Sequence, residues 1–140
     1  MRVKIIKTLN LWLPVIIWAA IIFQLSNHKL SAASPEYWKD FAFKKGAHLF
    51  FYGSLSILLY RALRGEGVEK LKSVYVAIII SFVYGISDEI HQSFISGREP
   101  TIRDVFIDTA GATFASFLLY YLLPKLPKKA QKLLGSFGLK

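Results

Sequence analysis

The chain contains a run of 17 residues, from position 9 to position 25, without a charged side chain. The run reads LNLWLPVIIWAAIIFQL, and its length is close to the roughly 20 residues that a helix needs to cross a bilayer core. In lipid, backbone amides and carbonyls must be satisfied within the protein, which a helix achieves. The run therefore predicts a membrane-spanning helix, in which Pro14 is tolerated once other helices pack around it.

Three further segments share this apolar character, at residues 47–63, 73–94 and 104–123. The connections between them are short, which favours antiparallel packing of consecutive helices. Pro124 and Pro127 end the last segment, because proline cannot continue a helix. The pattern predicts an all-α integral membrane bundle of four transmembrane helices.

The composition agrees with this fold class. Hydrophobic residues make up 54% of the 140 residues and charged residues 19%, so little polar surface remains to cover a soluble core. Cysteine is absent, which excludes disulfides and thiolate chemistry. We expect one membrane domain over residues 1–140, ending in a basic cytoplasmic tail over 124–140.

The net charge of +9 is consistent with a membrane location. Most Lys and Arg residues flank apolar runs, where they act as topology signals and contact anionic headgroups. No basic face with interleaved aromatic residues is present, so we expect the lipid bilayer as a partner and no nucleic acid.

The positive-inside rule sets the orientation. With the N-terminus inside, twelve Lys and Arg residues lie on the cytoplasmic side and six on the outer side. Both termini are therefore predicted in the cytoplasm, and the 95–103 loop outside.

Alternatively, residues 1–33 form a signal peptide that is cleaved after Ser31-Ala32-Ala33. Cleavage would remove one helix without reversing the others.

Three of the four spans carry ionisable groups at one depth. His48, Asp88 and Asp108 each lie 15 residues from the inner end of their segment. At 1.5 Å per residue, each is about 22 Å above the inner boundary. A carboxylate that faces lipid is costly, so we expect these side chains to turn toward one another or toward a wet cavity.

Helical spacing groups further polar residues around this layer. The groups are His48 with Tyr52, Tyr84 with Asp88, His91 and Gln92, and Asp104 with Asp108. Arg98 and Arg103 lie in the following loop, and guanidinium groups bind carboxylates in bidentate fashion. Gly97 and Pro100 are expected to shape the turn in this loop. We expect Asp88 to face His48, and Glu89 to turn toward Arg98 or Arg103.

These residues form four motifs. They are K-x-x-H-x-x-x-Y (Lys45, His48, Tyr52), D-E-x-H-Q (Asp88, Glu89, His91, Gln92), S-G-R (Ser96, Gly97, Arg98) and D-x-x-x-D-T-x-G (Asp104, Asp108, Thr109, Gly111). In order and spacing, from about residue 44 to residue 123, they resemble the VanZ-like family. That family often has Asn where this chain has Asp108, so the carboxylate adds a titratable group here.

The resemblance implies a multi-pass protein of the bacterial cytoplasmic membrane that acts at the cell envelope. The family's namesake is linked to resistance to teicoplanin, a glycopeptide that binds the D-Ala-D-Ala end of cell-wall precursors. The expected function is recognition or modification of an envelope component in a polar pocket on the outer side, with glycopeptide resistance as a consequence. A lipid-linked cell-wall precursor or a glycopeptide is the expected ligand.

The candidate site residues fall into two groups. Proton transfer is assigned to His48, Asp88, Glu89 and His91. Ligand binding is assigned to Lys45, Tyr52, Gln92, Arg98, Arg103, Asp104 and Asp108. We expect no cofactor and no metal, because no His-x-x-x-His spacing is present.

Two other functions fit the same residues. The polar groups could act only as an inter-helix network that holds the bundle together in a structural or partner protein. Alternatively, they could relay protons in a small transporter, although the inner halves of the spans offer few polar side chains. Outside the pocket, we expect His28 in a solvated loop. Residues 34–43, SPEYWKDFAF, are expected to form a short surface helix that lies over the pocket.

Overall fold

The computed structural model describes residues 2–27, 35–98 and 100–139. His28 and the Ser31–Ala33 cleavage signal lie outside these residues. In the described part of the chain all regular structure is helical. The helices are α1 (Arg2–Ser26), α2 (Tyr37–Gly65), α3 (Lys70–Gln92), α4 (Ile102–Leu122) and α5 (Lys128–Ser136), with a 3-10 turn at Leu123–Lys125.

Consecutive long helices run antiparallel, as the short connections predict. On one side of the bundle, Trp18 of α1 donates to the Phe51 carbonyl of α2 over 2.9 Å. Across the α2–α3 interface, the rings of Tyr52 and Tyr84 lie 6.2 Å apart. As a consequence α2 and α4 run parallel, and α2 packs against all three other long helices.

Three helices are long and apolar enough to cross a membrane: α1, α3 and α4. Their outward faces carry exposed apolar side chains such as Ile16, Ile79, Val83 and Phe114, which suits contact with lipid. These helices indicate a membrane protein. Helix α2 does not belong to this set: its first turns carry Lys39, Asp40, Lys44 and Lys45, and His48 and Arg61 lower the hydropathy of the remainder.

Both ends of α3 are fixed by specific residues. The Glu69 carboxylate accepts hydrogen bonds of 3.0 Å from the backbone amides of Leu71 and Lys72. These bonds stabilise the ionised form and lower the pKa of Glu69. After α3, Gly97 has a φ of +81°, which glycine adopts without steric cost, so the turn predicted there is confirmed.

One element differs from the predictions. The expected short helix over 34–43 is wrong as a separate element, because residues from Tyr37 onward are the first turns of α2 itself, and Gly46 does not end that helix. The predicted basic tail contains a helix of its own, α5, and Arg61 of α2 donates to the carbonyl of Phe137 just after that helix over 2.5 Å. No proline lies within α2 or α5 to interrupt either helix.

Small residues bring α2 and α4 together. A Cβ atom added to Gly53 would lie 3.3 Å from the Gly111 carbonyl oxygen and 3.4 Å from the Ala115 Cβ. This close approach is the packing expected from small side chains in membrane helices. Near the same interface, the buried hydroxyls of Ser56 and Ser116 form a hydrogen bond of 2.5 Å.

Candidate functional site

Two polar pairs connect the parallel helices α2 and α4, an ion pair and a histidine–carboxylate hydrogen bond. Lys45 Nζ lies 2.5 Å from Asp104 Oδ1, and His48 Nδ1 lies 2.8 Å from Asp108 Oδ1. Asp108 is fully buried, whereas His48 and Lys45 keep a small exposed fraction. Buried carboxylates need such partners, because unpaired charges in a nonpolar environment are strongly destabilising.

The expected contact between His48 and Asp88 is wrong. Asp88 accepts hydrogen bonds from Gln92 Nε2 over 3.0 Å and from the Tyr52 hydroxyl over 3.4 Å. His48 faces α4 because α2 and α4 run parallel with their polar residues in register. Tyr52, one turn further along α2, extends to α3 instead.

The expected contacts of the two arginines are also wrong. Glu89 accepts a hydrogen bond of 2.8 Å from the backbone amide of Thr101, an amide at the start of α4 that has no partner within the helix. Arg98 donates to the Leu25 carbonyl over 2.8 Å, and the Arg103 guanidinium lies 5.0 Å from the centre of the Phe41 ring. In the described residues, neither arginine forms a salt bridge with a carboxylate of the polar layer.

The two histidines have different surroundings. The His91 ring lies 4.5 Å from the Phe23 ring of α1, and its buried Nδ1 has no hydrogen-bond partner among the described residues. His48 alone is held by a carboxylate, Asp108. Of the two histidines assigned to proton transfer, His48 is therefore the one in a suitable setting.

A polar cavity of about 320 Å³ lies at this end of the bundle. Charged side chains of α2, the α3–α4 loop and α4 form much of its wall. They are Asp40, Lys44, Lys45, His48, Arg98, Arg103 and Asp104. Gln92 and Thr101 add hydrogen-bonding groups. The cavity is within the roughly 300–1,000 Å³ that small-molecule sites occupy.

A second cavity of about 260 Å³ lies beside the first, among α1, α2 and the end of α3 that carries Asp88 and Gln92. Its wall is largely apolar, with Ile22 and Leu25 from α1 and Phe43, Ala47 and Phe51 from α2. Both cavities share the same group of polar side chains, namely Lys44, His48, Gln92 and Arg98. The two cavities therefore adjoin one another.

Lys44 was not among the predicted site residues, whereas Tyr37, Asp40 and Phe41 belong to the 34–43 segment that was expected to lie over the pocket. Tyr37, Asp40, Phe41 and Lys44 line the polar cavity because α2 extends outward past its apolar part. The Asp40–Lys44 pair, 2.8 Å apart, has the i, i+4 spacing of helical ion pairs and was the signal for this extension.

The arrangement suits anion binding and proton transfer. With Asp108 ionised, the proton of neutral His48 sits on Nδ1, which leaves Nε2 as the basic atom. Asp88 Oδ1 and Asp108 Oδ2 have no hydrogen-bond partner among the described residues and can accept further bonds. In the same part of the chain, no three His, Asp or Glu side chains are grouped to hold a metal ion.

Fold and site together define an all-helical membrane protein with a cation-rich cavity at one end of its bundle. Residues 4–124 match the family model described as VanZ/LLP1, so the chain belongs to the VanZ/LLP1 family and the resemblance seen in its motifs is confirmed. Searches of the curated proteins and of the solved structures found no match.

Proposed function

We propose that the protein binds an anionic component of the bacterial cell envelope in its polar cavity. The supporting observation is the charge of the wall, in which four Lys and Arg side chains accompany two carboxylates. Lys44 and Lys45 are each paired with a carboxylate. Arg98 and Arg103 instead contact a backbone carbonyl and an aromatic ring, so they retain N–H donors for a phosphate or carboxylate.

The proposed setting is the cytoplasmic membrane, with four spans, both termini inside and the cavity on the outer side. Helix α2 has 29 residues, or about 43 Å at 1.5 Å per residue, so it can cross the bilayer and still extend its charged first turns beyond it. The distribution of Lys and Arg supports this orientation.

Single cysteines can test the orientation, because the chain has none of its own. The Ser96→Cys variant should react with a membrane-impermeant maleimide on intact cells, since Ser96 lies in the α3–α4 loop. The Ser136→Cys variant, at the end of α5, should react only after lysis. The opposite pattern would overturn the outward placement of the cavity.

Anion binding is tested directly with butyl phosphate, a soluble phosphate monoester. Purified protein in nanodiscs should bind it in calorimetry, and binding should weaken in Arg98→Gln and Arg103→Gln. Each charge-assisted hydrogen bond contributes roughly 1.5–3 kcal/mol, so a loss of tenfold or more is expected per arginine. The exposed Lys39→Gln variant, whose side chain pairs with Glu36, is the matched control. Equal binding by all variants would contradict the proposal.

A contribution to glycopeptide resistance is the cellular part of the proposal. We expect expression of the protein to raise the teicoplanin concentration that inhibits growth, and we expect Arg98→Ala to abolish this effect. Folded yield in detergent must be measured alongside. A normal yield with a lost phenotype supports a binding site.

A second candidate function, chemical modification of the bound component, is favoured by the His48–Asp108 pair. In a hydrolytic step, the oxygen of a water molecule would bond to the phosphorus or carbonyl carbon of the bound ester while His48 Nε2 takes a proton from that water. The bond to the ester oxygen would then break, and the leaving alkoxide would take this proton from His48 Nε2. Asp108→Asn should then slow hydrolysis of 4-nitrophenyl phosphate or 4-nitrophenyl butyrate while butyl phosphate still binds. Absence of turnover of both esters by the unmodified protein contradicts this candidate.

The structural alternative rests on the same buried pairs, since they join α2 to α4. It predicts that His48→Ala, Asp88→Ala and Arg98→Ala all lose folded yield together.

Proton-coupled transport has less support. The buried carboxylates Asp88, Glu89, Asp104 and Asp108 all lie at the cavity end of their helices. Further along the helices, the buried polar side chains described are hydroxyls, those of Ser56, Ser73, Ser81, Ser116 and Tyr60.

A further inference from the structure

The apolar cavity beside the polar one has no role in binding a small soluble anion. It lies among α1, α2 and the end of α3, and its walls include Ile22, Ala47 and Phe51. One edge opens at the surface of the bundle beside Leu25 of the apolar span α1, which is 41% exposed, and beside Phe43, which is 67% exposed. The opening beside α1 gives access from the bilayer, and the largely apolar wall suits a hydrocarbon chain.

The two cavities meet at polar side chains. Lys44, His48, Gln92 and Arg98 line both. A molecule that filled both cavities would need a negatively charged group attached directly to an apolar chain, because the cationic side chains lie where the two cavities meet. Such a molecule is an amphiphile with an anionic head.

We propose that the natural ligand is an anionic amphiphile whose phosphate or carboxylate head occupies the polar cavity and whose single hydrocarbon chain lies between α1 and α2. This inference rests on the proposed function and names its ligand class. Arg98 is the central contact, because it lies at the junction and is held by the Leu25 carbonyl of α1.

The hydrocarbon chain of the ligand is expected to determine where the ligand lies more than how tightly it binds. Lipid tails are as apolar as the cavity wall, so transfer of a chain from bilayer to protein gains little free energy. The experiment must therefore locate the hydrocarbon chain, because affinities alone would not show whether it lies in the cavity.

A photoreactive probe can locate the chain. Dodecyl phosphate with a diazirine at the end of its chain would be activated in nanodiscs, and labelled residues identified by mass spectrometry. We expect labels concentrated at residues 22–26 and 43–51. Labels spread evenly over lipid-facing positions such as Ile79 and Val83, exposed on α3, would overturn the proposal.

Matched variants separate cavity labelling from labelling through the bilayer. Ala47→Phe fills the cavity and should reduce labelling at least fivefold. Ala42→Phe, at an exposed position of α2 outside the cavity wall, should leave labelling unchanged. If Ala47→Phe lowers the folded yield, Phe43→Trp at the exposed edge replaces it. Equal labelling in the cavity and control variants contradicts the proposal.

Competition distinguishes the two sources of such an amphiphile. Displacement of the probe by farnesyl phosphate but not by lysophosphatidate indicates an isoprenoid phosphate, and the reverse indicates an acyl lipid. Displacement by neither overturns the inference.

Butyl phosphate, which has no long chain, tests the head-group site separately from the chain site. If butyl phosphate binds with dependence on Arg98 but the photoreactive probe labels at random, only the inference about the hydrocarbon chain fails. If butyl phosphate does not bind, the proposed function fails as well.

Discussion

Gly111 is the residue at which the packing of α2 against α4 can be tested most directly. A Cβ atom at this position would lie 2.6 Å from the carbonyl oxygen of Leu49 and 2.9 Å from its Cα. The first distance is about 0.8 Å shorter than the 3.4 Å at which ordinary contact begins. Because the opposing atoms belong to the backbone, the substitution Gly111→Ala requires the two helices to separate.

The expected cost follows from two opposing effects. Overpacking of this kind costs about 1–3 kcal/mol. Replacement of a mid-helix glycine by alanine returns about 0.5–1 kcal/mol through the lower entropy of the unfolded chain. We therefore expect Gly111→Ala to lower the free energy of unfolding by about 1–2 kcal/mol. Separation of the helices would also lengthen the Ser56–Ser116 and His48–Asp108 hydrogen bonds, which span the same interface.

Gly46 provides the matched control on α2. A Cβ atom there would meet no other atom within 4 Å. Gly46→Ala should therefore show the propensity gain alone, a stabilisation of about 0.5–1 kcal/mol. Both variants can be measured by unfolding with SDS in mixed micelles, followed by circular dichroism. If Gly111→Ala is as stable as Gly46→Ala, the close approach of α2 and α4 is refuted.

Three further predictions use the same unfolding assay. Ser56→Ala should lower the free energy of unfolding by about 1 kcal/mol. The double variant Ser56→Ala/Ser116→Ala should lower it by less than the sum of the two single variants, because no lone buried hydroxyl remains. Strict additivity would exclude a hydrogen bond between the two serines. Gly97→Ala should cost about 1–2 kcal/mol, since alanine is strained at a φ of +81°; an unchanged midpoint would contradict this. Glu69 has a lowered pKa, so its contribution to stability is complete above its ordinary pKa of 4.5 and is lost as the pH falls through the lower folded value. Glu69→Gln should abolish this part of the pH dependence, and identical pH profiles for the two proteins would disprove the capping role.

The polar layer shows how far sequence reasoning extends. Depth along each helix follows from residue count, so the grouping of His48, Asp88 and Asp108 at one level could be predicted. The structure places all three at the same end of the bundle, with Asp88 and Asp108 buried and His48 partly exposed. The partner of each group could not be predicted. Helical spacing gives the face of a side chain on its own helix, but it does not give the rotation of that helix against its neighbours.

The helical class, the apolar segments, the turn at Gly97 and the motifs that mark the family follow from residue types and their spacing along the chain. The pairing of His48 with Asp108, the hydrogen bond from the start of α4 to Glu89, and the extension of α2 along a cavity emerge from the packing of the helices. These contacts depend on the register between helices. It is set by close packing of small residues at the α2–α4 interface, where Gly53 meets Gly111, and such packing depends on atoms that are distant in the sequence.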